Sequence, residues 1–354
     1  MTITLLVPPP AGRMDTGIGR YCAQLLRAYE RMGILARTRF LRHHLLSVGH
    51  LELGYYVKFL LYAAKFRLSR PAAKGGDIVH SFHPMIVPPE TSVLTVWDLI
   101  PFDPAQRHFT RRPPLYALVV LATERNLLEY PDVYVAISEV IRHEMHDYFS
   151  IPLDRIRVAR PAVDLELFRP VPNPEVPFAR DKINVLHVGT AVDRKNILGI
   201  VEALGRLGAG RFRLVRVGPP TDRAYVERYT RRAKELGLDL LELGYAPDEK
   251  LPIYYGAADL VLFPSLAEGA GIPPLEAMAS ATNVVVSDLP VHHEMCGNAA
   301  FYCRTNPESI AQAIDHALSS PIPSETLRAH VSSWTWDDVA RVHLKIYEEL
   351  GQRF

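Results

Sequence analysis

The chain has 354 residues, 48% of them hydrophobic, and its 40 basic and 39 acidic side chains leave a formal charge of +1. That length and apolar content can bury two cores of ordinary domain size, while the charge balance argues against a nucleic-acid binder. No apolar run approaches spanning length, and Met1 to Val7 enters a strand without a basic leader or cleavage site, so a cytoplasmic protein is expected. Cys22, Cys296 and Cys303 show no zinc spacing and read as small core residues.

Short β-branched runs alternate with longer helical stretches, the pattern of βαβ units and parallel sheets. A first series of predicted strands covers 3–7, 77–81, 93–97, 133–137 and 156–159. After the first strand, Gly17-Ile-Gly19-Arg-Tyr21 opens a helix. Two glycines so spaced serve a tight turn or a phosphate-facing loop. Residues 37–74 hold eight Lys or Arg against Glu52 alone, a net +7, with Tyr55, Tyr56, Phe59, Leu60, Tyr62 and Phe66 interleaved. This is either an amphipathic helix with an aromatic core face or a helix lying on an anionic membrane surface. Residues 168–177 are extended linker, because Pro170, Pro172, Pro174 and Pro177 cannot continue a helix or pair in a central strand. The boundary is expected near residue 172, giving domains 1–172 and 173–333 and a terminal segment 334–354. A second series of strands covers 183–188, 213–217, 240–243, 260–263 and 283–287. Two open α/β domains facing each other place a ligand at the carboxyl ends of their strands, inside the cleft.

Two constellations carry chemistry. In Glu268-Gly-Ala-Gly-Ile-Pro-Pro-Leu-Glu276, two glutamates straddle a strand-to-helix turn. Gly269 and Gly271 allow close backbone approach, and Pro273 and Pro274 suit a first helical turn whose free N–H groups favour an anion. Carboxylates beside a phosphate suggest hydroxyl donors attached to it, so the expected ligand is a sugar nucleotide. Solvated loop and helix-start glutamates are the alternative. In His187-Val-Gly189-Thr-Ala-Val-Asp193-Arg194-Lys195-Asn196, a strand ends in glycine and a basic pair precedes a helix. Cations there oppose the helix dipole unless they bind an anion, and a departing nucleoside diphosphate is such an anion.

The Glu-x7-Glu segment resembles the signature of the retaining glycosyltransferases of family 4, whose fold is GT-B: two Rossmann-like domains with parallel sheets facing a central cleft. Gly189 to Asn196 resembles the Gly-Thr-x-x-Pro-Arg-Lys-Asn pattern of a branch that includes many bacterial and archaeal mannosyltransferases, with Asp193 in place of proline. By this resemblance Glu276 holds the nucleotide ribose, Glu268 contacts the donor sugar, and Arg194 and Lys195 contact the diphosphate. Asp98 joins the catalytic set, and Gly17, Gly19, Gly189, Thr190, Gly218, Tyr245, Ser265, Gly269, Ala270, Gly271 and Ile272 the donor-binding set. The first domain would take the acceptor, a glycan, lipid-linked or small-molecule hydroxyl, and the helix from Trp334 to Tyr347 would cross back onto it. No metal or cofactor is implied beyond the donor, with GDP-mannose the first expectation.

Two positions depart from the family pattern. Ala270 stands where an aromatic residue is usual, and Trp97 where a histidine precedes Asp98. Either that histidine is dispensable, or Asp98, His80, His83 or His108 serves, or turnover is lost and the chain is a sugar-nucleotide-binding scaffold. Trp97 itself either packs in the core or stacks on a sugar face.

Overall fold

The computed structural model describes residues 2–7, 17–40, 77–82, 87, 90–100, 102, 124, 127–172 and 175–351. Pro8 to Thr16, the basic aromatic stretch from residue 41 onward, His83 and His108 lie outside the described residues. The chain divides into two compact units, one of Met1–Pro161 with Trp336–Phe354 and one of Ala162–Thr335.

Unit 1 is built on the parallel strands β1 (Thr2–Val7), β2 (Ala36–Phe40), β3 (Asp77–Ser81), β4 (Val93–Val96), β5 (Val133–Ala136) and β6 (Ile156–Val158), in the order β2-β1-β3-β4-β5-β6. Every residue of β4 and β5 is buried, and all but Thr95 of β4 and Tyr134 of β5 are aliphatic, as in a parallel sheet whose two faces are covered by helices. The helix α1 (Gly17–Arg31) follows β1, and α2 (Glu139–Phe149) begins where the Ser138 hydroxyl accepts the Ile141 N–H at 3.1 Å.

Unit 2 repeats the plan with β7 (Ile183–Val188), β8 (Phe212–Val217), β9 (Asp239–Gly244), β10 (Leu260–Phe263), β11 (Val284–Ser287) and β12 (Phe301–Cys303), all parallel, in the order β12-β11-β10-β7-β8-β9. This is the Rossmann strand order. Its helices are α3 (Ile197–Arg206), α4 (Arg223–Glu235), α5 (Leu251–Ala257), α6 (Ile272–Ala279), α7 (Pro290–Cys296), α8 (Pro307–Ser319) and α9 (Ser324–Ser332). Side-chain caps start α4 and α8, where Asp222 accepts from Tyr225 N at 3.0 Å and Asn306 from Ser309 N at 2.9 Å.

The division between the units falls after Pro161 instead of near residue 172. The cause is packing: Phe168 is buried with its ring edge toward Tyr255 at 6.0 Å, so the proline segment is preceded by residues already seated on unit 2. The last helix, α10 (Trp336–Gly351), belongs to unit 1. It packs on α1 through a buried polar cluster. His80 Nδ1 lies 2.6 Å from the Tyr347 hydroxyl and Nε2 2.8 Å from Thr95 Oγ1, while His343 Nε2 lies 2.8 Å from the Tyr21 hydroxyl.

Among the described residues, β2 and β12 are the strands that the sequence pattern misses. Both are sheet edges: β2 alternates Arg37 and Arg39 with Ala36, Thr38 and Phe40, and β12 is three residues long.

Candidate functional site

In unit 2 the strand order reverses between β7 and β10, and the turns that follow these neighbouring strands carry both constellations. A ligand crevice is expected at such a switch point, outside the carboxyl ends of the strands. The turn after β7, Gly189 to Asn196, is fastened to the turn after β10, Pro264 to Gly271. Leu266 N–H donates to Arg194 O at 2.7 Å, Arg194 Nη1 to Ala267 O at 3.2 Å, and Asn196 Nδ2 to Pro264 O at 3.1 Å. A Cβ on Gly199 would stand 2.4 Å from Asn196 Oδ1, so a larger residue there would have to push aside the amide that makes this bond.

The fastening brings Arg194, Lys195 and Glu268 together. Lys195 Nζ pairs with Glu268 Oε1, and Arg194 Nη1 with Oε2 at 3.2 Å. Lys195 is not a solvated helix-start residue. Its side chain is 8% exposed, with the ammonium 4.4 Å from the Phe263 ring centroid. Burial alone would raise the Glu268 pKa, but the charges of Lys195 and Arg194, with the Ser265 hydroxyl, outweigh it and hold the carboxyl at about 2. Burial, with Arg216 and Lys195 adding to it, pushes His187 down to about 3, so its ring is neutral.

Gly271 opens α6 with φ +74, a left-handed conformation that favours glycine, and a proline occupies the first helical turn. A Cβ on Gly271 would stand 3.2 Å from the buried His292 ring. Glu276, one turn into α6, is 2% exposed and accepts from the Tyr255 hydroxyl at 2.8 Å. Neither glutamate is therefore a solvated surface residue. Gly269 and Ala270 are buried in the turn, Ile272 is half-buried at the helix start, and the buried Ser265 receives the Ser287 hydroxyl on its carbonyl at 2.6 Å.

On the other side of β7, the Gly189 N–H donates to Val217 O at 2.8 Å, and a Cβ on Gly218 would fall 2.1 Å from Gly189 O. The fully buried Arg216 ties both turns: Nη1 donates to Gly189 O at 2.9 Å, Nη2 to Gly218 O at 2.6 Å and Nε to Glu242 at 2.6 Å. Thr190 is half-buried in the same turn, and Tyr245, after β9, is exposed. Asp193, standing for the proline of the resembled pattern, pairs with Arg228.

The remaining candidates belong to unit 1. Gly17 and Gly19 form the first turn of α1. Asp98 follows β4, half-buried, with Oδ1 accepting the Ile100 N–H at 3.2 Å. Trp97 is a core residue: it donates Nε1–H to Phe82 O at 2.8 Å and meets the Tyr21 ring edge-on at 5.0 Å. His80 cannot replace the missing histidine, because it is fully buried and hydrogen-bonded through both nitrogens.

Sequence reasoning missed Arg216, Tyr255 and His292. His292 Nδ1 lies 2.8 Å from Ser287 O, which accepts only, so this nitrogen carries the proton and Nε2 holds a lone pair. His292 sits in the short helix α7, between Val291 and His293, where no motif gives a local signal.

Residues 173–333 match the family described as Glycosyl transferases group 1. The O-antigen chain mannosyltransferase B of Escherichia coli is 27% identical over 243 residues, covering 63% of this chain and 62% of that protein. The chain thus matches 62% of the length of such curated relatives. Sucrose-phosphate synthase from Thermosynechococcus elongatus superimposes with a TM-score of 0.80 at 19% identity, covering 100% of both chains. Anabaena Alr3699/HepE in complex with UDP and glucose does so with 0.66 at 16%, covering 99% of each. At such identities these structures share the fold. Unit 2 therefore carries a group 1 glycosyltransferase match, on a chain whose two parallel six-stranded sheets are those of the GT-B glycosyltransferases.

Proposed function

We propose that the protein is a retaining glycosyltransferase that moves a hexose from a nucleotide sugar to an acceptor hydroxyl. The observation that carries this reading is the convergence of Lys195, Arg194 and Glu268 at the switch point of a Rossmann sheet, beside the left-handed Gly271 turn. Lys195, Arg194 and the first N–H groups of α6 stabilise the negative charge of the leaving diphosphate. Glu268 orients the transferred sugar, and Glu276, braced by Tyr255, holds the ribose. The acceptor hydroxyl attacks the face from which the diphosphate departs, and the leaving phosphate takes its proton. Two fixed cations supply the positive charge this step needs, so metal-independent transfer is expected, and activity in excess EDTA tests it.

The mannosyltransferase relative and the Arg194-Lys195-Asn196 run favour GDP-mannose as donor. A glycan or lipid-linked acceptor taken by unit 1 completes the reading, with peripheral membrane contact through residues 37–74. Melting temperatures with GDP, UDP, ADP and their sugars test the donor, since a ligand that binds the folded state raises the melting point. A selective rise with GDP and GDP-mannose supports the reading. A UDP-selective rise moves the donor to a glucosyl type, and no rise with any nucleotide refutes it. The buried Trp97 favours a second reading, a non-catalytic sugar-nucleotide-binding subunit of glycan assembly. That protein would bind the donor without turnover or slow donor hydrolysis.

A further inference from the structure

The two cations read as the diphosphate clamp are already engaged. Each oxygen of the Glu268 carboxylate is held by one of them, Oε1 by Lys195 and Oε2 by Arg194 at 3.2 Å. The arrangement is built in, because the Glu268 and Lys195 side chains are 7% and 8% exposed and the two turns are bonded through Leu266, Ala267 and Pro264. A carboxylate and a phosphate present the same anionic oxygen face to such cations. A diphosphate entering the clamp must therefore displace Glu268, leaving a buried carboxylate in need of hydrogen-bond donors. An ionised phosphate offers it none, whereas a sugar carried on that phosphate offers hydroxyls.

We propose that Glu268 is a resident competitor for the anion clamp, making the site selective for sugar-bearing nucleotides over bare nucleoside diphosphates. The inference rests on the reading of Lys195 and Arg194 as phosphate ligands. A nucleotide sugar both displaces the carboxylate and satisfies it; a bare nucleotide only displaces it. After transfer, the nucleoside diphosphate has lost the hydroxyls that occupied Glu268, and the carboxylate returns to its cations as the product leaves. Glu268 stays ionised across the physiological range, its carboxyl held at about 2 against the effect of burial by Lys195 and Arg194.

The test is calorimetric titration of the wild type, Glu268→Gln and Glu268→Ala with inorganic pyrophosphate, GDP, GDP-mannose, UDP and UDP-glucose, after melting curves establish that each variant folds. Pyrophosphate and the bare diphosphate of the preferred base are expected to bind the variants on the order of tenfold more tightly than the wild type. The matching nucleotide sugar binds no more tightly, or more weakly. Glu235→Gln, at the exposed end of α4 where the carboxylate pairs with Arg232, removes a carboxylate outside the site, so its pyrophosphate affinity stays at the wild-type value. Unchanged or weaker pyrophosphate binding in both Glu268 variants overturns the proposal, as does equal tightening by Glu235→Gln. If no protein binds any nucleotide, wild type included, the clamp assignment itself fails.

Discussion

Lys195→Ala separates the clamp from ordinary ion pairing. Loss of the ammonium leaves Glu268 with Arg194 alone, 3.2 Å from Oε2, and leaves one cation for the leaving diphosphate. Turnover is expected to fall by about 10²-fold or more, a barrier increase of about 3 kcal/mol, the scale of one preorganised charge stabiliser. Stability changes with a definite pH signature. The folded Glu268 carboxyl, at about 2, lies below the ordinary 4.5, so its contribution is present above 4.5 and is lost as pH falls toward 2. That gap corresponds to about 3 kcal/mol, and Lys195 is the largest of the influences that lower the value. Transfer assays with the donor selected by the melting panel, together with acid denaturation of both proteins, read the two effects. Near-normal turnover in Lys195→Ala removes the clamp assignment, and an identical acid profile removes the pairing as a source of stability.

Gly218→Ala should destabilise unit 2 by about 2 kcal/mol or more, because φ is +135 and the new Cβ meets Gly189 O at 2.1 Å; a melting curve like that of the wild type refutes the packing. Gly271→Ala should weaken nucleotide binding, and His292→Ala should recover part of the loss by removing the ring 3.2 Å from the new methyl group; binding measurements showing no loss in the single variant exclude this geometry. Acid should also loosen α10. Burial pushes His80 well below its ordinary value, with His343 adding to the effect, and takes His343 to about 3, so the unfolded chain binds protons that the folded one refuses between about 6.5 and 3. Stability is therefore complete above 6.5 and declines below it, and His343→Phe should flatten that slope in melts between pH 8 and 4.

Strands β7 and β10 are legible to the residue, because β10 is a continuous apolar run, β7 is rich in Ile and Val, and each has a turn signal at its end. The pairing of Lys195 with Glu268 is not, since residues 73 apart meet only through the strand order. Arg216 lies without any signal of its own inside the predicted strand 213–217, yet it is fully buried because two strand-end carbonyls and Glu242 take its donors. Likewise, Glu276 suggests a ligand from its spacing, while its Tyr255 partner comes from a separate helix with no motif of its own. Edge strands fail for a different reason: with one neighbour each, β2 and β12 need neither length nor unbroken hydrophobicity.

The return of α10 to α1 sets an order on synthesis. Residues 162–335 form a contiguous unit and have all been translated before Trp336. The Tyr21, Tyr29 and His80 side chains wait for His343 and Tyr347, more than 260 positions later, to complete their hydrogen bonds. The later-made unit 2 can thus acquire its native contacts first, while the earlier-made sheet leaves the ribosome with an unfilled seam of aromatic and polar groups. That seam is closed by the arrival of α10, and until then it is the kind of transiently exposed surface that makes partly folded chains prone to aggregate.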